Sequence, residues 1–335
     1  MTRRAVITLG ALALLALAPS ERNAAQAQAG YPAKPVRIVS DSTVGSANDV
    51  TARIVAERLS RIWGQQVVIL NQPGAGGGIS ARAAASALPD GYTLYIAAAS
   101  VFLALRGGPG VAPNLPVELP RDFAAIGFVL QEPLFLAASP KAAINSLAEL
   151  IARAKAKPND VSYASTGRGR LTHLAMELLQ ARADIKLRLV PYAGGPTEAM
   201  SDIVGNRVDL VIDGYAGLAG GLASGVIRGI AVASDERLPD FKDLATVAET
   251  LPGFLAGGWN VLLAPVGTSE AIIGRANADL RKALDQPDIK DKLMTMGAYL
   301  HPMTSTEVTS FAQEQQRVWQ PIAELVANQS TEGEK

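Results

Sequence analysis

Three stretches of this chain gather residue types able to hold an anion: Asp41 to Asn48, Asn71 to Gly78 and Ser165 to Gly169. Each follows a short apolar run, is built largely of small or hydroxyl-bearing residues, and leads into a segment with helical periodicity. The first N–H groups of a helix lack internal partners and lie at the positive end of its dipole. Glycine and serine leave those donors uncovered, so a carboxylate or phosphate oxygen can dock there. The same stretches also suit ordinary tight turns. That reading is strongest for Asn71 to Gly78, where Pro73 and the glycines at 74, 76, 77 and 78 would let a helix approach closely.

Other chemistry is poorly provided for. The chain has no cysteine, which excludes disulfides, thiol nucleophiles and thiolate metal sites. No G-x-S-x-G elbow occurs. Gly74 to Gly78 reads G-x-G-G-G, not the dinucleotide pattern G-x-G-x-x-G, and no P-loop run is present. His173 and His301 are the only histidines, too few for a His-rich metal site. His173 falls just inside a helical segment as a packed or hydrogen-bonded residue, and His301, before Pro302, as a surface turn residue. Asp209 and Asp213 share a strand face but stand a strand length apart, which does not suit a paired acid/base site. No catalytic residue, cofactor or metal is expected.

The elements that position these loops alternate regularly. Val36 to Val39 reads as a strand. A helix carrying Ala52, Ile54, Val55, Leu59 and Ile62 follows, with Asp49 able to cap it and Gly64 ending it. Val67 to Leu70 and Thr93 to Ala97 are further strands, separated by a small-residue helix from Ile79 to Leu88. Residues 107–122 form an irregular Pro- and Gly-rich excursion. Ala125 to Gln131 and Leu134 to Ala138 read as two strands on either side of Glu132-Pro133. A second α/β set then runs to about residue 233. Trp259 to Leu263 is a late strand, followed by helices at Ser269 to Leu284 and Ile289 to Met296. The last helix, Thr306 to Val326, is expected to be kinked or split at Pro321. Strand–helix alternation of this kind predicts largely parallel sheets with helices on their faces.

The first 29 residues stand apart. Met1-Thr-Arg-Arg4 is basic, Ala5 to Pro19 is apolar, and Ala25-Gln-Ala-Gln-Ala29 offers two overlapping small-x-small cleavage sites, the layout of a signal peptide cut after Ala27 or Ala29. The apolar run is shorter than a membrane span requires. Losing Arg3, Arg4, Arg22 and Glu21 changes the balance of 31 basic and 31 acidic residues to 28 against 30, a formal charge of −2. That predicts no attraction to nucleic acid or an anionic bilayer. About 306 residues remain, enough to bury a core without disulfides and better suited to two domains than one.

A series of local motifs adds a family resemblance. It comprises Tyr31-Pro-Ala-Lys-Pro-Val-Arg-Ile38, Asp49-Val-Thr-Ala-Arg53, Asn71-Gln-Pro-Gly-Ala-Gly-Gly77 and Pro89-Asp-Gly-Tyr-Thr-Leu94. Further along come Tyr163-Ala-Ser-Thr-Gly167 with His173, Val190-Pro-Tyr-Ala-Gly194, Asp202 to Asp209, Trp259 and Ala264-Pro-Val-Gly-Thr268. In this order and spacing, from Tyr31 to about Val326, the chain resembles the extracytoplasmic binding proteins of the tripartite tricarboxylate transporter group, the Bug family.

The resemblance implies a two-lobed periplasmic binding fold of type II, α/β in class, with mostly parallel sheets flanked by helices and a ligand cleft between lobes. Lobe 1 would hold residues 30–132 and 255–330, lobe 2 residues 133–254, with a flexible tail at 331–335. It implies capture of a small carboxylate-bearing metabolite by a monomer, and delivery to the membrane permease subunits of a tripartite tricarboxylate-type transporter. The alternative is a ligand-binding sensor component of a signalling system. The ligand contacts implied are Asp41, Ser42, Val44, Gly45, Ser46 and Asn48 of the first loop, then Ser100, Ser165, Thr166, Gly167, Arg168 and Asp213. The first loop departs from the family pattern P-F-x-P-G-G-x-x-D: Asp41 stands for Pro, Ser42 for Phe and Ser46 for the second Gly. A serine keeps the backbone donor and adds a hydroxyl. Asp41 would repel a ligand carboxylate unless a proton or cation intervenes, and Arg168 or Arg170 could supply charge to the ligand or to Asp41. Mono- and dicarboxylates, aromatic acids, amino acids and nicotinate-like compounds all remain open as ligands.

Overall fold

In a computed structural model, residues 30–332 are described, except 43, 45, 105, 107–111, 166–169, 193–195 and 296. The segment read as a signal peptide therefore lies outside the described residues. The first half of the chain builds three parallel strands, β1 (Val36–Ser40), β2 (Val67–Asn71) and β3 (Thr93–Ala98), with β1 between the other two. Helices α1 (Ala47–Trp63) and α2 (Gly78–Ala85) connect them, and the short α3 (Ala99–Leu103) follows β3. In α1, Ala52, Val55 and Leu59 recur at helical spacing and bury against Ile38 and Ile96 of the sheet. Gly64 ends α1 in the left-handed conformation, as the sequence predicts.

One strand ties the molecule together. β4 (Phe123–Ala138) is continuous through Glu132-Pro133, where two separate strands are expected from the sequence. Residues 123–133 pair antiparallel with β9 (Gly257–Pro265), which in turn pairs with β3. Residues 134–138 pair instead with β7 (Leu210–Gly214) on one edge and β8 (Arg228–Val232) on the other. Proline has no N–H for a ladder, and Pro133 falls at the change of partners, so the strand passes through it. Beyond β7 lie β5 (Ser162–Ser165) and β6 (Arg188–Pro191), parallel to each other and, for β5, to β7. Helices α4 (Leu147–Ala156), α5 (Leu171–Ala183), α6 (Pro196–Val204) and α7 (Tyr215–Ala223) cover this second half. The result is a two-lobed α/β molecule with a sheet in each lobe.

The chain returns to the first lobe at Ala256–Gly257, beside the outward crossing: Leu134 N–H donates to the Ala256 carbonyl at 3.0 Å. A Cβ on Gly257 would lie 2.5 Å from the Glu132 carbonyl oxygen and 2.9 Å from Pro133 Cα, so only glycine lets the two crossings run this close. Helices α8 (Glu270–Leu284) and α9 (Pro287–Met294) pack on the first lobe. The last helix, α10 (Ser305–Glu332), runs unbroken past Pro321, whose ring is exposed, so the expected split does not occur, and residues 331 and 332 of the expected tail are helical. Its first half gives Val308 and Ala312 to the first lobe's core. Its second half gives Trp319, Ile322 and Val326 to the second, beside Leu174 and Leu178.

Candidate functional site

β1 ends at Ser40, and the next two residues serve different neighbours. Ser42 is buried with its Oγ 2.7 Å from Ser40 Oγ. The Asn71 side-chain amide, at the end of β2, donates to the Ser42 carbonyl at 3.1 Å, to Ser42 Oγ at 3.3 Å and to Asp49 Oδ1 at 2.8 Å. Arg53 completes the knot: its Nε donates to Asp49 Oδ2 at 2.9 Å and its Nη2 to Asn71 Oδ1 at 3.0 Å. Asp49, 1% exposed, thus holds a buried negative charge against the first turn of α1, where the helix dipole favours it. This network holds Ser42 and Asp49, the two ends of the first loop.

The cap of α1 is Ser46, not Asp49 as expected. The backbone at Ser46 is extended, and its hydroxyl accepts from Asp49 N–H at 3.3 Å. A cap must sit outside the helix to reach back to its third residue, and Asp49 is that third residue. Asn48 lies half-buried in the same turn, and Val44 is 74% exposed. Gly45 lies outside the described residues.

Asp41 turns the other way. Its Oδ2 accepts from Ala98 N–H at 3.4 Å and lies against Gly77, where a Cβ would come within 3.1 Å of it and 2.3 Å of Val101 Cγ1. The glycines after Asn71 therefore serve a close turn: Gly76 and Gly77 have φ of 64° and 95°. Burial pushes the Asp41 carboxyl up to about 6, against the Ala98 N–H, which favours the charge.

In the second lobe, Ser165 is buried at the end of β5, its Oγ 3.1 Å from Thr172 Oγ1 in α5. Thr166, Gly167 and Arg168 lie outside the described residues; Arg170, at the N-cap of α5, is exposed. His173 is buried, with Nε2 3.6 Å from Glu177 Oε1. Burial works against the charge on Glu177, but hydrogen bonds from His173 and Gln180 outweigh it and hold the carboxyl below its usual range. Asp213 is half-buried at the end of β7, where its Oδ1 accepts from Gly214 N–H at 2.7 Å and burial pushes its carboxyl up. Asp209 instead anchors β5, accepting from Ser162 N–H and Oγ at 2.8 and 2.7 Å. Ser100 is exposed in α3.

Two polar residues on the crossing strands are absent from the sequence-derived set. Glu132 is half-buried on β4, its Oε2 lying over Gly258 of β9 (3.4 Å from where a Cβ would stand), and burial pushes its carboxyl up. Asn260 is 3% exposed, and among the described residues its side chain has no hydrogen-bond partner. The only sequence signal is a polar residue interrupting an apolar run, as in Trp259-Asn-Val-Leu-Leu263.

Two lobes joined by paired crossing strands, with strand-to-helix loops at the ends of β1 and β5, define a solute-binding protein. Comparison with known proteins makes this specific. The family described as the tripartite tricarboxylate transporter family receptor matches residues 51–327. A UPF0065 protein of Bordetella bronchiseptica is 36% identical, covering 82% of this chain and 80% of its own. Protein BugT of Bordetella pertussis is 33% identical over 86% of this chain and 88% of its own. Among solved structures, R. palustris Rpa4515 with adipate aligns with a TM-score of 0.68 at 27% identity, covering 89% of this chain and 98% of the other. The chain belongs to the tripartite tricarboxylate transporter receptor family. It is a periplasmic solute-binding receptor for a small carboxylate, with a transport role.

Proposed function

We propose that the protein captures a small organic acid between its lobes and presents it to permease subunits of a tripartite tricarboxylate-type transporter, acting as a monomer without affinity for nucleic acid. The division of the chain would be 30–132 with 255–330 against 133–254. One ligand carboxylate would rest on the first loop, on backbone donors of Ser42, Val44, Gly45, Ser46 and Asn48, with Ser100 alongside and Asp41 behind. The other end would meet Ser165, Thr166, Gly167 and Arg168, with Asp213 at the rim. The observation that carries this reading is the bracing of the first loop by Asn71, Asp49 and Arg53 at the N-terminus of the 17-residue α1. A loop whose ends are already held loses less entropy on gripping an anion. The adipate held by the R. palustris relative is a ligand of the proposed class. The test is a thermal-shift screen of the secreted form against organic acids, followed by calorimetric titration. A cognate acid raises the unfolding temperature in a concentration-dependent way. A flat response to every mono-, di- and tricarboxylate would refute the proposal.

A further inference from the structure

Asn260 and Glu132 share one face of the crossing strands. Asn260 pairs with Ala98 of β3 and Leu130 of β4, while Glu132 pairs with Gly258, two residues before Asn260 on β9. Diagonal neighbours of this kind stand roughly 7 Å apart. The face is the one that packs α1. Ile96 and Leu262, two residues from Ala98 and Asn260 along their strands, belong to the core formed with Ala52, Val55 and Leu59. Ser40 lies opposite Ile96 on β1, on that same face, with Ser42 bonded to it. Two strand spacings, about 10 Å, separate β1 from β9, so the first loop and this polar pair lie on either side of the C-terminal end of β3, on one face of the sheet.

Asn260 keeps 3% of its surface and is not among the fully sealed polar atoms without a partner, so what its amide meets comes from solvent rather than from the described protein. Among the described residues no cation pairs with Glu132 either, although burial opposes its charge. Both observations point to a complement that arrives from outside. The pair offers three acceptor oxygens against one amide NH2 group, so the complement is chiefly a donor.

We propose that Glu132 and Asn260 form a polar floor to the cleft that recognises a hydrogen-bond donor, amine or hydroxyl, carried on the chain of the organic acid. This rests on the proposed function, and adds that the ligand is a substituted acid rather than a plain one. The floor, beside the first loop, sets the specificity.

Calorimetric titration of the full secreted protein with matched C4 and C5 acids tests it: succinate, malate and aspartate, then glutarate, 2-hydroxyglutarate and glutamate. The expected result is that a substituted member of at least one series binds about 10-fold or more tighter than its plain diacid. An amine as the recognised donor makes aspartate or glutamate the tightest and Glu132→Gln the variant that removes the preference. A hydroxyl makes malate or 2-hydroxyglutarate the tightest and Asn260→Ala the damaging change. The preference is a ratio within each variant, so partial loss of folded protein does not imitate it. Equal affinity across both series in the wild type overturns the floor and leaves the receptor reading standing. So does an unchanged preference in both variants. If none of the acids bind, and the wider acid screen is also flat, the receptor reading falls and the floor with it.

Discussion

Asp41 gives the sharpest test of the site's electrostatics. Its carboxyl is pushed from 3.8 up to about 6 by burial, so the fold accepts the neutral form and penalises the charged one. Well below pH 3.8 the group is protonated in both folded and unfolded chains and costs nothing. Between about 4 and 6 the folded protein holds a proton that the unfolded chain has released, so stability falls as pH rises. Above 6 the full penalty is in place. A shift of about two units corresponds to roughly 3 kcal/mol. Asp41→Asn removes the charge while its amide oxygen can still accept from Ala98 N–H. The variant should therefore lie within about 1 kcal/mol of wild type at pH 4 and exceed it at pH 7.5 by up to ~3 kcal/mol, or roughly 5 °C in unfolding temperature for a chain of this size. Glu132 and Asp213, also pushed up by burial, shape the curve of both proteins and largely cancel in the difference. Calorimetric scans at half-unit steps from pH 4 to 7.5 measure the gap. A gap that stays constant with pH would refute the reasoning, because no other consequence of the substitution follows the titration of residue 41.

Asn71→Ala removes the amide that joins Ser42 to Asp49 and leaves a buried carboxylate short of a donor; a loss of about 1–3 kcal/mol in chemical denaturation is expected, with weaker ligand binding. Gly257→Ala forces a Cβ into the backbone of the neighbouring crossing and should cost more than about 2 kcal/mol, whereas Gly253→Ala, with open space but φ of +77°, should cost less; parallel denaturation curves would expose an error in that ranking. Arg168→Ala should weaken ligand binding by about 10- to 150-fold if the guanidinium grips a carboxylate. Partial rescue by Asp41→Asn in a double-mutant cycle would show instead that it neutralises Asp41, and wild-type affinity would remove Arg168 from the site.

Local chemistry was enough to read much of this protein. Apolar runs of strand length, helical spacing in α1, the stop at Gly64 and the small residues after each strand are nearest-neighbour effects, and they determine the α/β class and the loops that could meet an anion. The ordered motifs from Tyr31 onward carried the family. Tertiary structure alone decided what depends on residues far apart in the chain. Glu132-Pro133 reads as a break because proline lacks a donor, yet the strand continues there because its partners change at that point. The glycines after Asn71 read as an anion cradle or, more readily, a tight turn, and the closeness of Asp41 and Val101 to Gly77 decides for the turn. Asp49 reads as a cap until the extended backbone of Ser46 places the cap three residues earlier. Asn260 and Glu132 carry no signal beyond a polar residue beside apolar ones. Only the pairing of β3, β9 and β4, distant in sequence, sets them on one face beside the first loop, because a strand's register with its neighbours is fixed by the whole sheet and its two cores.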